Sequence, residues 1–257
     1  MSPTVEAVVL PAPFGWTSGH IELELPGARV LFTTRRGGVS DGPFASLNLG
    51  AGTGDEPGRV VENRARAARL AGDGSPASLL AGRQVHGARV ARHRADAPDD
   101  DAVPVATDGR ATDRDSAAAT VLAADCLPIA LAAPGAVAMV HAGWRGLAGG
   151  VVAQGVAALR ALGSTGPIAA AIGPGARPCC YEVGDDVRAA FARHGAGVRR
   201  GRAIDLAGVA RLELEAAGVG DVHDVGLCTI CSDPALFFSH RRDRGTTGRQ
   251  AGLVVRA

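Results

Sequence analysis

Short apolar runs, each bounded by a turn signal, most narrow what this chain can fold into. They are "ARVLFTT" at 28–34, "TVLAAD" at 120–125, "PIALAA" at 128–133, "AVAMVH" at 136–141 and "PIAAAIG" at 167–173. Each is too short for an ordinary helix and apolar on both faces, the pattern of a strand covered on both sides. Helical patterns lie between and after them. Residues 57–71, "PGRVVENRARAARLA", follow Asp55 as a cap and stop at Gly72, with Val60, Ala67 and Leu70 near one face. Residues 146–162 place Leu147, Val151, Val152, Leu159 and Leu162 at helical spacing, and further helices are predicted over 184–194 and 205–217. Strand-like "DVGLCT", "ALFFSH" and "GLVVRA" close the chain. Such an order predicts an α/β fold, a mixed sheet system flanked by helices, in one domain spanning 1–257.

At 257 residues the chain can bury a substantial core, and its formal net charge of +1 gives no global field toward nucleic acid or an anionic membrane. All 27 basic residues are arginine. Without lysine there is no Schiff-base, pyridoxal-phosphate or phosphate-loop lysine, so any anion is held by arginine or backbone N–H groups. Five cysteines, an odd number, do not make a disulfide framework. The start, "MSPTVEAVVL", does not read as a signal peptide, and Asp125, Pro128 and Pro134 interrupt the apolar stretch 117–140 well short of the roughly 20 residues of a bilayer helix. Reducing, cytoplasmic surroundings are expected, with no membrane, nucleic-acid or obligate protein partner. The acid-rich stretch 92–115, with its two prolines, reads as a solvated loop.

Candidate chemistry sits where strands end. "RQVHG" at 83–87, "ADC" at 124–126 and "HAGWRG" at 141–146 each end a strand or open a tight turn. In the strand–turn–strand from 120 to 141, Cys126 leaves the first strand at the edge where His141 finishes the second, and His86 arrives from elsewhere. Two imidazoles and a thiolate suit zinc with a fourth position open, where a water can be activated. The same residues also read as hydrogen-bonded core histidines and a cysteine packed as a small hydrophobe. Cys228-Thr-Ile-Cys231 has metal-like spacing, but Cys179 and Cys180 are adjacent rather than spaced as a second pair, so a core or redox-inert role is expected. His20-Ile-Glu22 matches half of a zinc-deaminase signature whose other half Pro178-Cys179-Cys180 breaks, which leaves His20 as a surface residue. Arg241, Arg242 and Arg249 in "SHRRDRGTTGRQ", and Arg35 in "TTRRGGVS", belong either to solvated turns or to phosphate-binding ones.

Taken in order and spacing, "TTRRGGVSDGPFASLNLG", "RQVHGARV", "AADCLPIAL", "VAMVHAGWRGLAGGV", "IGPGARPCCYEVG" and "FFSHRRDRGTTGRQAG" resemble the signature blocks of the bacterial polyphenol oxidase or laccase-domain family. That family includes peptidoglycan editing factors and purine nucleoside phosphorylases related to human laccase domain-containing 1. The resemblance spans residues 32–252. It implies an α-β-β-α arrangement, with sheets layered between helices, and a metal, usually zinc and less often copper, on His86, Cys126 and His141. It also implies phosphorolysis of adenosine, inosine and S-methyl-5'-thioadenosine, with purine nucleosides and phosphate as the small-molecule partners, and deamination of adenosine. His240 stands where the family often has tyrosine, Gln250 where it has methionine and Gly175 where it has cysteine. These departures bear on substrate preference rather than on the metal.

On that reading Asp125 is the first candidate base, provided the chain bends there to turn it toward the site, and Glu182 the second. Arg35 or Arg145 supplies charge to phosphate, with Arg242 as a further anion contact. Asn48 and Gln84 are polar contacts to ribose or base. A multicopper laccase needs a further histidine cluster that seven histidines do not furnish. The alternative is a cysteine hydrolase editing peptidoglycan precursor peptides, with Cys126 as nucleophile and His86 or His141 as base. A closed structural zinc module is disfavoured, because it needs four ligands where three are visible.

Overall fold

The computed structural model describes residues 8–72, 74–96 and 106–257, so the centre of the predicted solvated loop, 97–105, lies outside the described residues. Strands β1 (Gly15–Thr17), β2 (His20–Leu25) and β3 (Ala28–Phe32) precede helix α1 (Pro57–Ala71). Six strands follow: β4 (Ser78–Leu80), β5 (Val90–His93), β6 (Gly109–Thr112), β7 (Ala117–Ala123), β8 (Leu127–Ala133) and β9 (Ala136–Ala142). Helices α2 (Trp144–Ala148) and α3 (Val151–Ala161) lead to β10 (Ala169–Ile172) and α4 (Asp185–Ala190). A small hairpin, β11 (Arg199–Arg200) and β12 (Ala203–Ile204), then α5 (Leu206–Ala216), β13 (Asp221–Asp224) and β14 (Gln250–Arg256) complete the chain.

Two six-stranded mixed sheets result, ordered β1-β2-β3-β14-β7-β4 and β13-β10-β8-β9-β6-β5. Their period of two sorts side chains between layers. In β8, Leu127, Ile129 and Leu131 face helices α3 and α5, in a core with Val151, Leu159, Val209 and Leu214. The alternate residues Ala130 and Ala132 join Val137 and Met139 of β9 in a second core against Val30, Phe32, Val121 and Val254 of the other sheet. The outer face of that sheet, with Leu31, Leu253 and Val255, is covered by Ala67 and Ala71 of α1. The layers run α-β-β-α, as expected, and strands buried on both faces explain the unbroken apolar runs.

Helix α1 has the expected bounds, but its N-cap is Glu56, whose side chain accepts from the Gly58 N–H. The helix expected over 146–162 is two helices, broken at Gly149-Gly150, where Gly150 adopts φ +83°. That is the left-handed region, inaccessible to most residues without strain. The helix expected over 184–194 ends at Ala190 and passes into a 3₁₀ turn. "ALFFSH" is not a strand. The Gln250 side chain takes over the pairing a strand neighbour would have given, accepting from the Phe238 N–H and donating to its carbonyl. Of "DVGLCT" only Asp224 lies in a strand, β13, and Cys228 makes an isolated bridge to Gly175. His20 is buried rather than superficial, 4% exposed, with Nδ1 accepting from the Thr34 N–H at 3.3 Å.

Candidate metal centre

The site forms where β7, β8 and β9 meet. Register pairs Leu127 with Ala142 and Pro128 with His141, which sets Cys126, one residue before β8, beside the end of β9. The connection from β7 turns sharply at Asp125, with φ +89°, which meets the condition for turning Asp125 toward the site. His86 comes from the segment between β4 and β5, itself at φ +60°. Asp108 holds that segment: its carboxylate accepts the backbone N–H groups of Val85 (3.1 Å), His86 (2.8 Å) and Gly87 (2.7 Å). The same carboxylate lies 2.9 Å from His141 Nδ1, so one buried acid orients both histidines.

The ligand atoms of His86, Cys126 and His141 lie within 4.8 Å of one another. With Nδ1 engaged by Asp108, His141 presents Nε2, the usual arrangement behind a metal-bound imidazole. Gly143 makes room for the trio, because a Cβ there would stand 2.9 Å from Cys126 Sγ and 3.1 Å from His86 Cδ2. Burial alone would raise the Cys126 thiol, but the charge and hydrogen bond of His141, aided by His86, bring it down to about 6. Burial would lower His141, yet Cys126 and Asp108 raise it to about 9. Burial likewise opposes ionisation of Asp108, and the donors around it still hold its carboxyl below the ordinary range. A pre-ionised thiolate, two imidazoles and a carboxylate behind one of them fit zinc with a position left for water or substrate.

The trio lines a cavity of about 660 Å³ whose walls also carry Arg64, Arg83, Arg145, Arg241 and Arg249. Arg145 stacks over Trp144 at 4.3 Å, and Arg241 over Tyr181 at 5.0 Å. Arg83 and Arg145 make no side-chain hydrogen bond or ion pair among the described residues, which leaves their guanidinium donors to the cavity. Gln84 lines it too, with its amide paired to the Leu122 backbone in both directions.

Other expected contacts sit elsewhere. The Arg35 guanidinium donates to the carbonyls of Ala45, Pro234 and Pro43 and stacks over Phe238, so it braces loops outside the cavity lining. Arg242 is likewise occupied, by Asp243, Thr229 and Phe237. Asn48 is buried in a polar knot with Thr53, Asp55 and the Gly50 and Arg249 N–H groups, with nothing left for ribose. The Glu182 side chain is 70% exposed and faces Arg202 at 3.8 Å, outside the cavity lining. Asp125 lines the cavity, but its two oxygens accept from Thr229 Oγ1 (2.7 Å) and the Arg241 N–H (2.7 Å). A carboxylate so engaged holds neighbours in place rather than shuttling protons.

Asp108 is hidden in an acid-rich stretch that reads as loop, and nothing local marks Arg64 and Arg83 as cavity cations. Cysteines set apart in the sequence are also united by the fold: the sulfurs of Cys179, Cys180, Cys228 and Cys231 all lie within 4.8 Å of one another. The adjacency of Cys179 and Cys180 does not prevent this, because a bridge between Gly175 and Cys228 brings the two segments side by side.

Fold and site together define a layered α-β-β-α protein with three donors able to hold a metal in an arginine-lined cavity. The chain belongs to the multi-copper polyphenol oxidoreductase laccase family, whose profile matches residues 29–257. It is 43% identical over 235 residues to the purine nucleoside phosphorylase ORF3 of Streptomyces griseus, covering 88% of this chain and 94% of that one. A purine nucleoside phosphorylase of Xylella fastidiosa is 44% identical over 248 residues, covering 89% and 92%. The crystal structure of YlmD from Geobacillus stearothermophilus superposes with a TM-score of 0.84 at 37% identity, over 96% of this chain and 99% of that one. The Bacillus licheniformis hypothetical protein YfiH gives 0.85 at 32%, over 96% and 100%. Among the described residues no helix is long and apolar enough to cross a membrane.

Proposed function

We propose that this protein is a zinc-dependent purine nucleoside phosphorylase acting on adenosine, inosine and S-methyl-5'-thioadenosine, and that it also deaminates adenosine. The observation that carries the reading is the convergence of His86, Cys126 and His141 in a cavity lined by arginine. Relatives about 40% identical that bear the name purine nucleoside phosphorylase support it. The whole chain serves as one catalytic unit, since the cavity walls run from Gly50 to Arg249.

In phosphorolysis a phosphate oxygen bonds to C1′ of the ribose as the bond from C1′ to the purine nitrogen breaks, and the departing base gains a proton. Arg83 and Arg145 are positioned to hold phosphate, which this chain must bind without lysine. Tyr181 and Trp144 give the cavity flat apolar walls for a purine. Zinc on the trio would supply Lewis acidity, polarising a substrate atom or activating a water. Asp108 keeps His141 in the ligating tautomer, and Asp125 anchors the Arg241 backbone at the cavity rim. The test is incubation of zinc-loaded protein with adenosine, with and without phosphate. Adenine and ribose 1-phosphate formed only with phosphate, and inosine without it, are the expected products; an unchanged nucleoside in both would reject the proposal.

A second reading has its own observation. Without metal, Cys126, His141 and Asp108 form a thiolate, imidazolium and carboxylate in series, as in a cysteine hydrolase, which would act on peptidoglycan precursor peptides. Peptide cleavage that survives chelation and stops on thiol alkylation would favour it over the phosphorylase.

A further inference from the structure

The second cysteine cluster plays no part in the chemistry above. Cys179 and Cys180 lie on the turn that follows Arg177, closed by the Cys180 and Tyr181 N–H groups donating to the Arg177 carbonyl. Cys228 and Cys231 lie on a second turn, closed by the Ser232 N–H donating to the Cys228 carbonyl. The Thr229 N–H donates to the Gly175 carbonyl and the Gly175 N–H to the Leu227 carbonyl, which joins the two segments. All four sulfurs fall within 4.8 Å of one another, and those of Cys179 and Cys231 stand 3.6 Å apart. A disulfide needs about 2.05 Å. A tetrahedron with zinc–sulfur bonds of about 2.3 Å has sulfur–sulfur edges of about 3.8 Å, close to what is seen. Cys228 is buried, Cys180 half-buried, and Cys179 and Cys231 exposed, which gives an ion a path in from solvent.

We propose that Cys179, Cys180, Cys228 and Cys231 form a second, closed zinc site with four sulfur ligands that clips the 177–181 turn to the 228–231 turn. With no coordination position left over, it is structural. Loading it releases the thiol protons, and the binding energy goes into holding the two turns together. The clip matters to the cavity because each turn carries a residue that shapes it. Tyr181, next to Cys180, lines the wall, and Thr229, next to Cys228, donates to the Asp125 carboxylate.

The test counts metal in the full-length protein, purified under reducing conditions, by native mass spectrometry. Two zinc ions per chain are expected in the wild type, and one each in the His86→Ala/Cys126→Ser and Cys179→Ser/Cys231→Ser variants. Cobalt substituted into the His86→Ala/Cys126→Ser variant should give the intense visible and near-ultraviolet bands of a tetrahedral four-sulfur site. That variant keeps all four cysteines of the cluster, so its result does not depend on the fold of the cluster variant or on the catalytic proposal. A His86→Ala/Cys126→Ser protein that carries no zinc, with its four remaining cysteines either open to alkylation or joined as disulfides, would overturn the proposal.

Discussion

Asp108 orders the centre without being one of its ligands. Three backbone N–H groups and the His141 ring converge on its carboxylate, so its removal releases both histidines together. Replacing Asp108 with Asn should weaken zinc binding roughly 10- to 100-fold, measured by competition with a chromogenic chelator, as is typical of groups behind a ligating histidine. Gly143→Ala should lower metal affinity in the same assay, since its Cβ would stand 2.9 Å from Cys126 Sγ. His20 adds to the acid sensitivity that the lowered carboxyls of Asp108 and Asp243 already give the fold. Burial lowers its pKa from 6.5 to about 4, so the fold favours the neutral ring. Above pH 6.5 this burial costs the fold no proton-linked stability, and as pH falls from 6.5 toward 4 the unfolded chain takes up a proton the fold excludes, a loss of about 3 kcal/mol in all. Urea denaturation at pH 7 and pH 4 should show that loss in the wild type and a smaller one in His20→Gln. The convergence of His86, Cys126 and His141 was foreshadowed because each sits at a strand end or turn, and the family resemblance singled the three out together. Asp108 was not, because what marks it is a set of backbone partners more than twenty positions away.

At the scale of elements, long apolar runs gave themselves away and anything closed by a side chain did not. Strands β8 and β9 are visible because every residue in them is buried. The helix over 146–162 looked continuous because its apolar spacing survives the break, and only the paired glycines hint that Gly150 leaves the right-handed region. "ALFFSH" has strand composition, but its pairing partner is the Gln250 side chain, which no local pattern encodes. Helix α1 ends in a similar long-range bond: Arg29 of β3 donates to the carbonyls of Leu70, Ala71 and Gly72. A cation at the last carbonyls both completes their hydrogen bonding and opposes the helix dipole. Arg29→Met should therefore cost about 1.5–3 kcal/mol in urea denaturation, with the loss of helical circular dichroism centred on α1.

Over the whole molecule, a near-neutral chain concentrates cations at one place. The net charge of +1 conceals a cavity with five arginines around the His86, Cys126 and His141 donors. Arg145→Ala should raise the KM for phosphate by about tenfold or more and leave nucleoside binding less affected, in initial-rate kinetics with each substrate varied in turn. Mixed sheets flanked by helices were legible from the order of strand and helix patterns, and their layering from the family resemblance, whereas the cavity was not, because its walls come from segments across nearly the whole chain. If His86, Cys126 and His141 close on one ion, anomalous scattering at the zinc edge from crystals of zinc-loaded protein should show a peak within bonding distance of His86, Cys126 Sγ and His141 Nε2. Density in which the three side chains share no ion would refute the proposed centre.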